Sequence, residues 1–215
     1  MIDWTSTMQQ TYEFYIVDPI SWKDTKLIRN VKSCTINRDS TAETLGSASL
    51  SMTEIIGECY VRIYLITIQN GVKEKHPLGT YLVQTPSSSY DGRIEDITMD
   101  AYTPLLELKE KQPPLGFTIE KKTNEAIMTA AHRLAQEYSR APVVPAKSTT
   151  KLTSNFTAGT DDTWLSFITD LAASDKYKFD LDEMGRILFS PIQKLEALQP
   201  VCTFDDGNSS ILYPE

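Results

Sequence analysis

Residues 58–71 read ECYVRIYLITIQNG. The run from 58 to 69 is rich in β-branched and aromatic side chains, which suit a pleated, half-buried surface. Asn70-Gly71 then closes it with a strong hairpin signal, since both residue types tolerate positive φ. Upstream, Ala48, Leu50 and Met52 point one way along residues 47–52 while Ser47, Ser49 and Ser51 point the other. Nearer the start, Tyr12, Phe14 and Ile16 alternate around Glu13 and Tyr15 until Asp18-Pro19 breaks the run. Downstream, residues 79–85 form a third run, followed by Pro86-Ser87-Ser88-Ser89 and Asp91-Gly92. Its expected partner is 94–102, where Ile97, Met99 and Ala101 alternate with Thr98, Asp100 and Tyr102. Short antiparallel strands at this spacing predict a small β barrel or sandwich.

The pattern changes after Leu108, and Gln112-Pro113-Pro114-Leu115-Gly116 reads as a junction. Thr123 is placed to cap a helix whose apolar stripe is Ile127, Ala130, Ala131, Leu134, Ala135 and Tyr138. A Pro-containing loop over 141–150 ends it. A second helix is predicted from Thr160, with Asp161 and Asp162 in its first turn, where the macrodipole favours negative charge. Its residues Trp164, Phe167, Ile168 and Leu171 need cover, and are expected to pack on the first helix or on a hairpin over 177–189 that turns at 182–185. Residues 200–215 read as a strand, a turn at Asp205-Asp206-Gly207-Asn208, and the start of a strand at Ile211-Leu212-Tyr213. The sequence stops two residues later, as a truncated or processed piece would. Because open strand edges invite aggregation, a strand from 198–213 is expected to complete the β domain. The fold class is therefore α+β.

Bulk properties exclude several classes. A chain of 215 residues with 40% hydrophobic and 23% charged residues is an ordinary globular protein. Its formal net charge of −8 repels nucleic acid and anionic membranes. The densest basic group, Lys109, Lys111, Lys121 and Lys122, is interrupted by Glu107, Glu110 and Glu120. Cys34, Cys59 and Cys202 are scattered, with no CxxC pair, which argues against a disulfide framework or zinc site and for a reducing compartment. Residues 1–10 are polar where a signal peptide would be apolar, and no stretch approaches the ~20 apolar residues of a membrane span.

Catalytic chemistry finds little to draw on. His76 and His132 are the two histidines and read as solvated or half-buried side chains. No GxSxG, HExxH, GxGxxG or GxxxxGK[ST] motif occurs. Asp180-x-Asp182 resembles the opening of a calcium loop, but Met184 and Pro191 stand where oxygen ligands belong, so a hairpin turn is the better reading. Asp205-Asp206-Gly207-Asn208 likewise reads as a turn. Among 29 acids no pair is singled out for glycoside cleavage, which leaves an acid-based cell-wall hydrolase without named residues. No catalytic, cofactor-binding or metal residue is assigned, and the chain is read as a non-enzyme. Tyr12, Phe14 and Tyr15, with Tyr60, Tyr64 and Tyr81, offer an alternative carbohydrate platform, although such residues more often fill cores and interfaces.

Several motifs in order carry a family resemblance. They are Leu78-Gly79-Thr80-Tyr81-Leu82-Val83, then residues 97–106 with the pattern DxYxxLxxL, then the helix over 123–138. Phe156-Thr157-Ala158-Gly159-Thr160-Asp161-Asp162-Thr163-Trp164-Leu165 follows, then the hairpin over 177–189, and finally residues 204–211. This series resembles the hub proteins of phage contractile tails, the N-terminal modules of siphophage tail-associated proteins, and late-control prophage tail proteins. The resemblance implies a tail-tube-like β domain over 1–110, an inserted α+β domain over 111–195, and a return to the first domain over 196–215. It further implies a structural virion protein of the tail tip or baseplate hub, assembled in the bacterial cytoplasm. A homotrimeric ring would contact tail tube, distal tail or baseplate proteins, with no cofactor, no specific nucleic acid binding and no membrane anchor.

Overall fold

The computed structural model describes residues 2–90 and 95–193. One antiparallel sheet of seven strands dominates it: β1 (Gln9–Val17), β2 (Asp24–Ile28), β3 (Val31–Arg38), β4 (Gly46–Met52), β5 (Cys59–Gln69), β6 (Val72–Tyr90) and β7 (Glu95–Tyr102). Across the sheet the order is β2-β1-β5-β6-β7-β4-β3. The two outermost strands are thus consecutive in the chain, and only Arg29 and Asn30 separate them. A link that short reaches about 10 Å at most, so both edges meet there and the sheet folds over on itself. Residues 24–38 pair first with β1 and then with β4, as a bent strand does at the corner of a packed sheet. Among the described residues β2 and β3 do not pair with each other. The architecture is therefore an open, folded-over antiparallel sheet rather than a closed barrel.

The sheet encloses Phe14, Ile28, Leu50, Met52, Val61 and Met99. The alternation in 47–52 is realised, with Ala48, Leu50 and Met52 buried. Asn70 (φ 50°) and Gly71 (φ 79°) make the expected tight turn, leaving Gln69 paired with Val72. One difference is the length of β6, which runs through Pro86 instead of stopping there. Its register shifts between Gln84 and Pro86, because a bulge removes the need for the N–H that proline lacks.

The second part of the chain contains α1 (Leu106–Lys109), β8 (Thr118–Ile119), α2 (Ile127–Tyr138), β9 (Phe156–Thr157), α3 (Trp164–Ser174), β10 (Tyr177–Leu181) and β11 (Ile187–Pro191). Both helix starts differ from expectation. Thr123 closes a 3-10 turn at Lys121–Thr123, its hydroxyl donating to the Glu120 carbonyl at 2.8 Å, and α2 begins only after Ala126. α3 starts at Trp164 because Thr163 and Ser166 cap each other: the Ser166 N–H donates to Thr163 Oγ1 at 3.1 Å and the Thr163 N–H to Ser166 Oγ at 3.0 Å. Asp162 stays outside the helix and accepts the Gly159 N–H at 2.7 Å.

Trp164, Phe167, Ile168 and Leu171 are buried with Ile127, Ala131 and Leu134 and with Phe179 and Phe189 of the β10–β11 hairpin. This core continues onto the sheet through Val17, Trp22, Tyr60 and Leu82. The expected turns at Asp91-Gly92 and Asp205-Asp206-Gly207-Asn208, and the strands over 198–213, lie outside the described residues.

Candidate functional site

Residue 62 is the one charge in the apolar run of β5, and its position there decides its role. Val61 and Ile63 face the sheet interior, so Arg62 points to the opposite face and is 1% exposed. A buried guanidinium must be both paired and hydrogen-bonded. Nη1 donates to Asp24 Oδ1 at 2.7 Å, Nε to Thr80 Oγ1 at 2.8 Å, and Nη2 to the Met184 carbonyl at 3.1 Å and the Trp22 carbonyl at 3.3 Å. Met184 lies in the turn of the β10–β11 hairpin. Its carbonyl also accepts the indole N–H of Trp22 at 2.9 Å and the Thr80 hydroxyl at 2.8 Å. Three side chains of the sheet region thus converge on one oxygen of the hairpin.

The turn is shaped to reach that joint. Gly185 has φ +74°, and a Cβ there would lie 2.5 Å from Thr80 Cβ. Gly185→Ala is therefore expected to destabilise the protein by about 1–3 kcal/mol, from a strained backbone and a clash that the buried joint cannot relax. An unchanged urea midpoint in the variant would contradict this.

Beside the joint lies a cleft of about 390 Å³, between Arg38, Gly79 and Tyr81 on the sheet and Phe179, Asp182 and Gly185 on the hairpin. Two of its acids, Asp180 and Asp182, are engaged locally. Asp182 Oδ2 accepts Arg186 Nε at 2.5 Å, and Asp180 Oδ2 accepts Ser190 Oγ at 2.9 Å. The arrangement tightens the hairpin. A second polar contact reinforces the junction, where buried Glu107 of α1 accepts the Arg140 backbone N–H at 2.7 Å and pairs with its guanidinium. That guanidinium also reaches Glu58 at 3.1 Å and stands 5.2 Å from the Tyr60 ring.

The residues considered from sequence fall elsewhere. His76 Nε2 lies 3.0 Å from Thr67 Oγ1, with its ring 5.3 Å from that of Trp4. His132 Nε2 lies 3.1 Å from the Val143 carbonyl. Each histidine is taken up by its own local contact. Tyr60, Tyr64 and Tyr81 are buried rather than displayed, as is Phe14, while Tyr12 is 57% exposed. Burial pushes the Tyr64 phenol up to about 12, and its hydroxyl donates to Asp24 Oδ2 at 2.7 Å. Burial also raises the Cys34 thiol to about 11, which disfavours the thiolate form. Among the described residues no group of three His, Cys, Asp or Glu could hold a metal ion, and no helix is long and apolar enough to cross a membrane. The joint at Arg62 was not anticipated. Its signal was present, since a lone Arg inside an apolar strand requires a buried partner.

No family model matches the chain, and no curated protein matches it in sequence. Solved structures do match in fold. A tail protein from Neisseria meningitidis MC58 superposes with a TM-score of 0.59 at 13% identity, covering 84% of this chain and 50% of that one. The 43 kDa tail protein of prophage MuSo2 from Shewanella oneidensis gives 0.57 at 14% identity, covering 86% of this chain and 54% of that one. This chain therefore shares its fold with these two tail proteins and spans about half the length of each.

Proposed function

We propose that the chain is a structural subunit of a phage or phage-like tail, placed at the tip or baseplate hub, where three copies form a ring joining the tail tube to the distal tip. The observation that carries this reading is the fold shared with the two tail proteins over 84% and 86% of the chain. The co-linear motifs over residues 78–83, 97–106 and 156–168 agree with it. In this reading residues 1–110 are the ring-forming β domain, 111–195 an insertion, and 196–215 a return to the first domain. The Arg62 joint suits a load-transmitting role, because it holds hairpin and sheet in one orientation through side chains that are themselves buried.

The test is a mass measurement of the full-length protein in solution, together with imaging of assembled tail tips. Three copies per ring are expected. A twofold dimer, or a strict monomer that does not associate with tail tube or baseplate components, would overturn the reading.

A further inference from the structure

We infer that the loop over residues 18–23 is a preformed finger by which each copy inserts Ile20 into the cleft of the next copy; this rests on the ring reading above. Ile20 is 94% exposed. A lone exposed aliphatic side chain is ordinary, but this one is presented by a loop held in a single shape. The Asp18 N–H donates to the Lys23 carbonyl at 2.9 Å and the Trp22 N–H to the Asp18 carbonyl at 2.8 Å. Asp18 Oδ2 accepts the Ser21 N–H at 2.9 Å and the Ser21 hydroxyl at 2.6 Å. At the base, Trp22 is buried with its indole bonded to Met184, and it holds φ 55°, where a bulky side chain is strained. None of these bonds uses the Ile20 side chain. The fold therefore fixes an apolar tip that it does not itself bury, and a tip ordered in advance loses little entropy on docking.

The cleft offers what such a tip needs. Leu45, Leu78, Tyr81, Phe179 and Leu181 give it apolar walls, and at about 390 Å³ it has room for Pro19 as well as Ile20. Charge agrees in sign. With Asp182 held by Arg186, the lining keeps Asp39, Asp180 and Glu183 against Arg38 and Lys178. The finger brings Lys23 and Lys26, both exposed and, among the described residues, in no ion pair. Opposite signs across a contact favour its formation and fix its register. The occupant comes from another copy, because a copy's own finger is kept away from its own cleft. The Met184 carbonyl accepts from Trp22 at the base of the finger and from Thr80 in the cleft wall, so the hairpin turn stands between the two. They also lie on opposite sides of β5, since the finger joins β1 to β2 and the cleft wall is on β6. A tip and a pocket at different places on one molecule pair heterologously, and heterologous contacts are the kind that build rings.

The experiment measures the solution mass of the full chain, of Ile20→Asp and Ile20→Ser, and of Ser40→Trp, whose side chain would fill the cleft from its rim. An equimolar mixture of Ile20→Asp with Ser40→Trp is measured as well. Residues 20 and 40 are both exposed, and far-UV circular dichroism checks that each variant folds. The wild type should be trimeric. Ile20→Asp and Ser40→Trp should each be monomeric, with association weakened about thirtyfold or more, as the loss of an anchoring side chain does, and Ile20→Ser should fall between. The mixture should form one-to-one pairs and no trimer, because it joins one intact finger to one intact cleft. A wild-type trimer that Ile20→Asp or Ser40→Trp leaves intact would overturn this inference while sparing the ring reading, and so would two monomeric variants that do not pair when mixed. A wild type that is monomeric or a twofold dimer would overturn both. If Ile20→Asp loses binding to a tail tube protein while the trimer persists, the finger serves a different partner and the proposal falls.

Discussion

Arg62→Ala is expected to lower the stability of the protein by about 2–3 kcal/mol: the guanidinium is buried and its acceptors lose a donor, while Asp24 stays 23% exposed, so the carboxylate left behind is partly solvated. The magnitude follows from what is left behind. Asp24 loses its bond of 2.7 Å to the guanidinium, and keeps only the Tyr64 hydroxyl at 2.7 Å and the Lys75 ammonium at 3.8 Å. Lys75 is held between the Tyr15 and Tyr64 rings, 3.9 and 3.7 Å from their centroids, so its position is set by them rather than by Asp24. Thr80 Oγ1 loses a donor, and the Met184 carbonyl keeps two of its three. Arg62→Lys should recover only part of the loss, because a single ammonium cannot serve the four acceptors that the planar guanidinium spans. Replacing Arg62 and Asp24 together by apolar residues should cost less than Arg62→Ala alone, since no charge is then stranded. Urea unfolding of the three variants gives the ranking, and amide exchange should show residues 182–185 losing protection in Arg62→Ala. A loss below about 1 kcal/mol, within the range of a surface pair, would show that the guanidinium is not buried and bonded at the joint in solution.

What made parts of this fold legible was a local pattern with one answer. In 47–52, alternate residues are buried on one face and polar on the other, and no second strand register satisfies both. In 69–72 the turn needs two positive φ values, and Asn-Gly supplies them. β2 and β3 gave no such signal. They lie at the sheet's two edges, where half of each strand faces solvent, so charged residues interrupt the apolar pattern. Their strand character comes from pairing with β1 and β4 rather than from their own composition. Helix starts were ambiguous for a similar reason: Thr160 and Thr163 both resemble caps, and Ser166, which completes a reciprocal cap with Thr163, decides between them. The Arg62 joint depends on Met184, 122 residues away. Local sequence can show that Arg62 needs a partner, but only the fold shows which one.

Trp164→Ala should be the most damaging change in the second part of the chain, at about 3–5 kcal/mol for truncating a fully buried aromatic. The indole is 1% exposed and stacks on Tyr138 with centroids 4.0 Å apart at 15°. Phe117 meets it edge-on at 4.9 Å and Phe167 at 6.0 Å. One side chain therefore joins α3 to α2 and to the segment before β8. The Trp164 N–H also donates to the Lys111 carbonyl at 2.8 Å, which fixes the start of α3 against the chain leaving α1. Alanine would keep that backbone bond while opening a cavity that Tyr138, half-buried beside it, can fill only in part. Trp164→Phe, which keeps an aromatic face for the stack, should lose less.

The damage should also be local. The sheet interior around Leu50, Met52 and Met99 is a separate apolar cluster that shares no residue with the one containing Trp164. In Trp164→Ala, amide exchange should therefore accelerate in α2 and α3 while the central strands stay protected, and the melting curve should broaden or split. Coupling between the two parts runs through Trp22, Tyr60 and Leu82, which face the helical core from the sheet. If those contacts dominate, all of the described strands should lose protection together with α2 and α3. Retained cooperative melting within a few degrees of wild type would refute the assignment of Trp164 as the centre of this core.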